Sequence, residues 1–201
     1  MIITIDGIDG SGKSTLARKL SAYYDYIFID KPVSNFFNQF VPLNKQVIDR
    51  MQDNVSSINS DFLNAYYSTL SLVYFQQTMK DQNAIINGGL LTSYIENASE
   101  NTRELYKILI KQGLLFDLSI VLWCDRKERL NRLRKKSNNE QYLMDQSLKN
   151  YNFESLYHLI MNHNDKAILI DTTNLSEDEV FEIARKAIDD AKKNKVLNKR
   201  Y

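Results

Sequence analysis

Gly7-Ile8-Asp9-Gly10-Ser11-Gly12-Lys13-Ser14-Thr15 decides the fold. It fits the phosphate-binding loop pattern, a glycine, four residues, then Gly-Lys and Ser or Thr. An apolar run, Met1-Ile2-Ile3-Thr4-Ile5, precedes it and reads as a short buried strand, while Leu16-Ala17-Arg18-Lys19-Leu20 follows and reads as a helix start. That strand–loop–helix setting is what gives the motif meaning. Gly7, Gly10 and Gly12 allow a tight turn and close approach to a ligand. With Ser11 they leave backbone N–H groups turned toward an anion at a helix N-terminus. Lys13 adds a charge for the outer phosphates and Ser14 a hydroxyl for Mg²⁺, while Thr15 closes the motif and is expected to pack or cap within the helix.

The rest of the chain bounds the class. Its 201 residues suit one domain, 1–201, with a substantial core. Hydrophobic residues make up 43% and charged residues 25%, and the net charge is +1, so no global field argues for a nucleic acid polymer or a membrane partner. A single cysteine, Cys124, excludes an intramolecular disulfide, which fits a reducing cytoplasm. The first strand begins at residue 2, so no N-terminal signal is expected, and no apolar run approaches the roughly 20 residues needed to span a bilayer. Three of the six glycines lie in the loop, and no Gly/Pro-rich linker divides the chain.

Strand-like runs recur at Ile2 to Asp6, Tyr26 to Asp30, Ala84 to Asn87, Leu118 to Cys124 and Ala167 to Asp171. Helical spacing lies between them, most clearly over Ile58 to Lys80. Strands alternating with helices predict an α/β fold: a five-stranded parallel sheet with helices on both faces. Ligands then bind beyond the carboxyl ends of the strands, where the loop, Asp30, Asn87, Asp125 and Asp171 should share one face. A regulatory GTPase would carry an Asn-Lys-x-Asp motif well downstream, and Asn44-Lys45-Gln46-Val47 does not supply it. A motor or AAA-type ATPase would need a larger domain and a second acidic motif of the hhhhDE kind, and none is visible.

The layout resembles the thymidylate kinase family and, through it, the deoxynucleoside kinases. Ile5 to Thr15 is similar to that family's opening strand and loop, and Phe28-Ile29-Asp30-Lys31-Pro32-Val33 to the end of its second strand, where Glu-Pro is usual. Ile85-Ile86-Asn87-Gly88-Gly89 stands where the family has Asp-Arg-Tyr or Glu-Arg-Ser. Leu130-Asn131-Arg132-Leu133-Arg134-Lys135-Lys136 resembles its basic lid, about 126–145, and Tyr151 to Leu156 and Ile168 to Asp171 complete the order. The resemblance implies a P-loop kinase fold and a transfer of the ATP γ-phosphate, with Mg²⁺, to a nucleoside monophosphate (dTMP-like) or a deoxynucleoside. It also implies homodimerisation through helices, which rests on analogy alone.

It assigns roles by position. Asp9 would contact the acceptor sugar and help organise metal. Arg132 and Arg134 would be the lid cations that neutralise the moving phosphoryl group, because position 10 is Gly and the loop carries no cation of its own beyond Lys13. One of Tyr66, Tyr67, Tyr74 and Phe75 would stack on a base. Asp30 stays open as an active-site acid: it precedes the family's Glu position by one residue, a shift that turns a strand side chain to the other face. The acceptor half departs from the family. No arginine occurs between Arg50 and Arg103, and Asn87 and Gly88 replace an acid and a phosphate-binding arginine; Arg50, Lys45 and Arg103 are candidate substitutes. A kinase of another small acceptor and a nucleotide-binding regulator without transfer activity are the other readings. His158 and His163 lack the spacing of a metal motif, and the basic tail Lys192, Lys193, Lys195, Lys199 and Arg200 reads as a solvated or frayed end.

Overall fold

A computed structural model describes residues 1–30, 32, 60–79, 81–97, 99–112, 114, 116–148 and 166–198. Five strands, β1 (Ile2–Gly7), β2 (Ile27–Asp30), β3 (Ala84–Asn87), β4 (Leu118–Trp123) and β5 (Ala167–Asp171), form one sheet in the order β2-β3-β1-β4-β5. Every pairing is parallel. The expected strands are therefore present, with ends moved by a residue at most. The helices are α1 (Lys13–Tyr24), α2 (Asp61–Thr78), α3 (Leu90–Asn97), α4 (Arg103–Lys111), α5 (Arg126–Lys136), α6 (Glu140–Leu148) and α7 (Glu177–Asn198).

Both faces of the sheet are covered, which explains why the strands read as apolar runs rather than as alternations. Ile3 and Ile5 of β1 join Leu16 and Leu20 of α1, Ile120 of β4, and Phe181, Ala184 and Ile188 of α7 in one core. The neighbouring residues of the same strands face the other way. Ile2, Ile86 and Val121 pack there with Leu72 and Phe75 of α2, Leu90 and Leu91 of α3, and Tyr106 of α4. Period-two alternation of side chains across a strand produces this division.

Local signals set the helix ends near the site. Ser60 caps α2, its hydroxyl accepting from Leu63 N at 3.3 Å, so the helix begins three residues later than the periodicity from Ile58 suggested. Asp125 caps α5 by accepting from Glu128 N at 2.9 Å. The predicted lid is thus two helices, α5 and α6, separated by Ser137, Asn138 and Asn139.

The tail is partly tied down. Lys192 on α7 sits over the rings of Tyr24 and Tyr26, 3.8 and 4.9 Å from their centroids, so it is not a frayed end. Lys193 pairs at 3.5 Å with Asp190. Lys199 and Arg200 lie outside the described residues, as do Lys31, Lys45, Arg50, His158 and His163.

Candidate active site

The loop joins β1 to α1 at the carboxyl edge of the sheet. Ser11 N donates to Ile8 O at 3.1 Å and Leu16 N to Gly12 O at 3.0 Å, so the loop runs straight into the helix. Gly10 has a φ of +85°, and a Cβ there would meet Arg129 Cγ at 2.8 Å and Arg129 O at 2.9 Å. The first turn of α5 therefore rests directly on the loop. Lys13 is nearly buried, with 11% of its side chain exposed, and its ammonium lies 3.5 Å from Asp9 Oδ1. Asp9 Oδ2 accepts from Tyr142 Oη at 3.3 Å. Burial, followed by the Asp9 charge, pushes the Tyr142 phenol up to about 12, so it stays protonated as a donor.

Two cavities meet at this loop. The first, about 360 Å³, is lined by Gly10, Ser11, Gly12 and Thr15 on one side and by Glu128, Arg132, Lys135 and Thr172 on the other. The second, about 430 Å³, is lined by Asp9, Lys13, Ser14, Asp30, Asn87 and Gly88 together with residues of α2 and α3. The loop thus presents Gly10 to Gly12 to one cavity and Lys13 and Ser14 to the other. Thr15 faces the first cavity as well as opening the helix.

The lid arginines divide. Arg132 reaches across the first cavity: its Nε donates to Glu128 Oε1 at 2.9 Å, Nη1 to Thr172 Oγ1 at 3.0 Å and Nη2 to Thr172 O at 2.6 Å. The bond from Arg132 holds the Glu128 carboxyl below the usual carboxylate range. Thr172 Oγ1 in turn lies 3.1 Å from Ser11 O, which links the loop, the end of β5 and the lid. Arg134, two residues on, is exposed and lines a separate groove between α5 and α6 with Leu130, Glu140 and Met144. A step of two residues turns a helix by about 200°, so the two arginines face apart. Arg129 is buried instead of basic surface, 1% exposed, and donates to Gln146 Oε1 at 3.2 Å and Gln146 O at 2.8 Å. It ties α5 to α6.

The strand ends also sort into two kinds. Asp30 and Asn87 are register partners in the sheet. Asn87 Nδ2 donates to Asp30 Oδ1 at 2.7 Å and to Ser14 Oγ at 3.0 Å. The argument that the β2 acid turns away fails because residues paired in register across the sheet share a face, and Asp30 is paired with Asn87. Asp125 and Asp171 serve the backbone: Asp125 caps α5, and Asp171 Oδ1 accepts from Thr173 N and Thr173 Oγ1 at 2.9 and 2.6 Å.

The Asn87-Gly88-Gly89 turn has its own physical cause. Asp6 at the end of β1 is fully buried. Its Oδ1 accepts from Gly89 N and Thr92 N, each at 2.8 Å, and from Thr92 Oγ1 at 2.9 Å, while Oδ2 accepts from Thr4 Oγ1 at 2.6 Å. Such a carboxylate answers the orphan donors of the first turn of α3. A Cβ at Gly89 would stand 2.7 Å from Thr4 Cβ and 3.0 Å from Asp6 Oδ2, so only glycine fits. Thr92 Oγ1 also accepts from Gly7 N at 3.2 Å, joining the loop to the helix that lines the second cavity. Sequence reasoning missed Asp6, Thr92, Thr172 and Tyr142. The one available signal was Asp6, an acid inside an apolar strand.

The expected aromatic stackers do not line the second cavity. Phe75 is buried and Tyr74 packs edge-to-face on it, with centroids 5.4 Å apart. Tyr66 is exposed, and α2 contributes Ser68 to the cavity rather than any of the four aromatics. Arg103 is exposed at the start of α4.

Comparison with known proteins fits this geometry. A curated protein of Picrophilus torridus described as a probable thymidylate kinase is 32% identical over 95 residues, which is 47% of this chain and 41% of that protein's length. Among solved structures, deoxyadenosine kinase from M. mycoides with bound dATP superposes with a TM-score of 0.58 at 20% identity, covering 94% of this chain and all of that one. Thymidylate kinase from Candida albicans gives 0.57 at 17% identity, over 95% of this chain and 92% of that one. A family model described as an AAA domain matches residues 3–155. The sequence argument against an AAA-type ATPase is overturned for family membership by that match. The chain belongs to the AAA-domain family, on the parallel α/β P-loop fold that thymidylate and deoxyadenosine kinases share.

Proposed function

We propose that the protein is an ATP-dependent phosphotransferase that moves the ATP γ-phosphate to a nucleoside monophosphate or a deoxynucleoside. The observation that carries this reading is the pair of cavities meeting at the loop. A donor nucleotide laid on Gly10 to Thr15 would direct its outer phosphates at Lys13 and Ser14, toward the second cavity, where an acceptor has room. The relatives point the same way: the curated relative is described as a thymidylate kinase, and both solved structures cited are of nucleoside or nucleotide kinases.

The residues present fit a divalent cation. Ser14 Oγ, Asp9 and Asp30 are hard oxygen donors on one side of the loop, as Mg²⁺ prefers. Asn87 Oδ1 is a buried acceptor with no hydrogen-bond partner among the described residues. Among those residues no group of three or more His, Cys, Asp and Glu converges, which suits an ion held mainly by phosphates and water. When bound, Mg²⁺ would neutralise charge on the phosphates being cleaved.

The chain's own residues supply the rest. Lys13 places a nearly buried positive charge at the phosphates, and Arg132 stands at the lid side of the donor cavity, held in place by Glu128 and Thr172. Of the two lid arginines, Arg132 is the one that the cavity supports as a catalytic cation. Asp9 faces the acceptor cavity and accepts from Tyr142, so an acceptor hydroxyl would take the place of the tyrosine. The described lining of that cavity carries the acids Asp9, Asp30 and Glu96 against Lys13 and Arg18, and Gly88 brings no arginine. This balance favours the deoxynucleoside over the monophosphate as acceptor, because a second phosphate needs compensating charge.

An acceptor panel of nucleosides and nucleoside monophosphates with Mg-ATP tests the reading. ATP consumption should depend on one class of acceptor, and Lys13→Ala should lower it by roughly 10²-fold or more. ATP binding with no acceptor-dependent turnover across the panel would sink the kinase assignment.

A further inference from the structure

A chain of three hydroxyls runs from the second cavity into the core. Ser68 of α2 and Ser93 of α3 both line that cavity, and their Oγ atoms lie 2.5 Å apart. Ser93 Oγ lies 2.8 Å from Tyr106 Oη, which also lies 2.8 Å from Ser93 O. Ser68 is half-buried, Ser93 is buried and Tyr106, on α4, is 1% exposed. One end of the chain thus meets the cavity and the other ends in the core.

Each hydroxyl owns one hydrogen, and two placements satisfy the distances. In the first, Tyr106 donates to Ser93 O, Ser93 to Tyr106 Oη, and Ser68 to Ser93 Oγ. Ser68 then has a lone pair for a group in the cavity. In the second, Tyr106 donates to Ser93 Oγ, Ser93 to Ser68 Oγ, and Ser68 to Ala65 O, 3.0 Å away. The Ser68 hydrogen can then leave that carbonyl for a group in the cavity. Rotation of the hydroxyls alone converts one placement into the other. Both ends tolerate it, because each terminal carbonyl has a second donor. Asn97 Nδ2 reaches Ser93 O at 3.1 Å, and Thr69 Oγ1 reaches Ala65 O at 2.8 Å. Neither placement therefore carries the cost of an unpaired carbonyl. Burial raises the Tyr106 phenol to about 12, so it keeps its hydrogen at neutral pH.

We propose that Ser68 Oγ reads the base of the acceptor as either donor or acceptor of a hydrogen bond, with the direction set by the Ser93–Tyr106 pair behind it, so that the cavity takes bases with an amino edge and bases with a keto edge alike. The inference rests on the acceptor-cavity reading given above and adds the class of base to it. Ser93 and Tyr106 are positioning residues in it, acting through Ser68. Cytosine offers a hydrogen at its 4-amino group and a lone pair at N3, and uracil the reverse at both. Adenine and hypoxanthine differ in the same way at position 6 and N1. Whichever of the two atoms meets Ser68, the members of each pair need opposite placements.

Calorimetric binding of deoxycytidine, deoxyuridine, deoxyadenosine and deoxyinosine tests this without relying on turnover. The wild-type protein should bind both members of at least one pair. A group fixed in one direction rejects the mismatched member by roughly 10⁴-fold, and rejection on that scale would overturn the proposal. Ser68→Ala should weaken both members alike, by roughly 2–10-fold, which is what one neutral hydrogen bond supplies. Unchanged affinity for both would overturn it. Tyr106→Phe removes the oxygen that takes the Ser93 hydrogen in the first placement, so only the second stays fully paired. It should separate the members of a pair by roughly tenfold, whereas the double variant with Ser68→Ala should not separate them. An equal change for both members in Tyr106→Phe would mean that the phenol only supports the fold, and the proposal would fall. Thermal melts check each variant, and if Tyr106→Phe does not fold, the half-buried Ser68→Ala decides alone. If the wild-type protein binds none of the four, the acceptor-cavity reading itself fails and this inference with it.

Discussion

Thr92→Val removes one hydroxyl and almost no volume, and that hydroxyl ties two sides of the site together. Thr92 Oγ1 donates to the buried Asp6 Oδ1 at 2.9 Å and accepts from Gly7 N at 3.2 Å. The bond to a charged partner is worth about 1.5–3 kcal/mol, and an amide left without its acceptor costs about 1–3 kcal/mol where water cannot reach it. Asp6 keeps three other donors, Gly89 N, Thr92 N and Thr4 Oγ1, and Thr92 is only partly buried, so water offsets part of both terms. A net loss of about 2 kcal/mol follows, which for a chain of this size is a fall in Tm of about 4–8 °C. Urea denaturation measures the first figure and calorimetry the second. Thr92→Ser is the control: it keeps the hydroxyl and gives up one methyl, a change of about 0.8 kcal/mol at most. A valine variant within about 0.5 kcal/mol of wild type, a spread typical of surface substitutions, would refute the reasoning. So would a serine variant as unstable as the valine one.

Two further outcomes follow from the same geometry. Arg132→Ala should reduce kcat by roughly tenfold or more with a smaller change in the KM for ATP, whereas Arg134→Ala should stay within roughly twofold on both; steady-state kinetics separates them. Equal effects would mean that the lid turns further than its hydrogen bonds suggest. Tyr106 is buried and its phenol is raised, first by burial, from 10.0 to about 12. The folded state therefore keeps this proton more tightly than the unfolded chain. That contribution is complete below pH 10 and is lost as the pH rises toward about 12. Tyr106→Phe should flatten the alkaline fall in stability across that interval, as measured by denaturation at several pH values, while costing stability at neutral pH through the lost bonds to Ser93.

How much of this was legible in the sequence follows from the range of each interaction. The loop and the five strands are local patterns: spacing of Gly, Lys and Ser within nine residues, and apolar runs of four to six. They fix the sheet and place Lys13 and Ser14. The residues that were missed act across long separations. Thr92 meets Gly7 and Asp6 over some eighty-five positions, Tyr142 meets Asp9 over 133, and Arg132 meets Thr172 over forty. No window along the chain shows those meetings. Asn87-Gly88-Gly89 looked like an eroded motif because it was compared with an acid and an arginine. In three dimensions Gly89 is required by Thr4 and Asp6, Gly88 holds a φ of +90°, and the Asn87 amide binds Asp30 and Ser14. The basic run from Arg126 to Lys136 is one pattern in sequence, yet its side chains turn different ways: Arg129 inward, Arg132 to the first cavity, Arg134 to a separate groove.

The contact between Gly10 and Arg129 bears on how this chain can vary. The space that a side chain at position 10 would fill is already taken by the stem and carbonyl of Arg129. A loop that carried its own arginine at that point would have to push the lid helix away. A side chain at position 10 and the lid helix as it stands thus exclude each other by volume before charge is considered. Any change that placed a side chain at position 10 would need the start of α5 to be rebuilt with it.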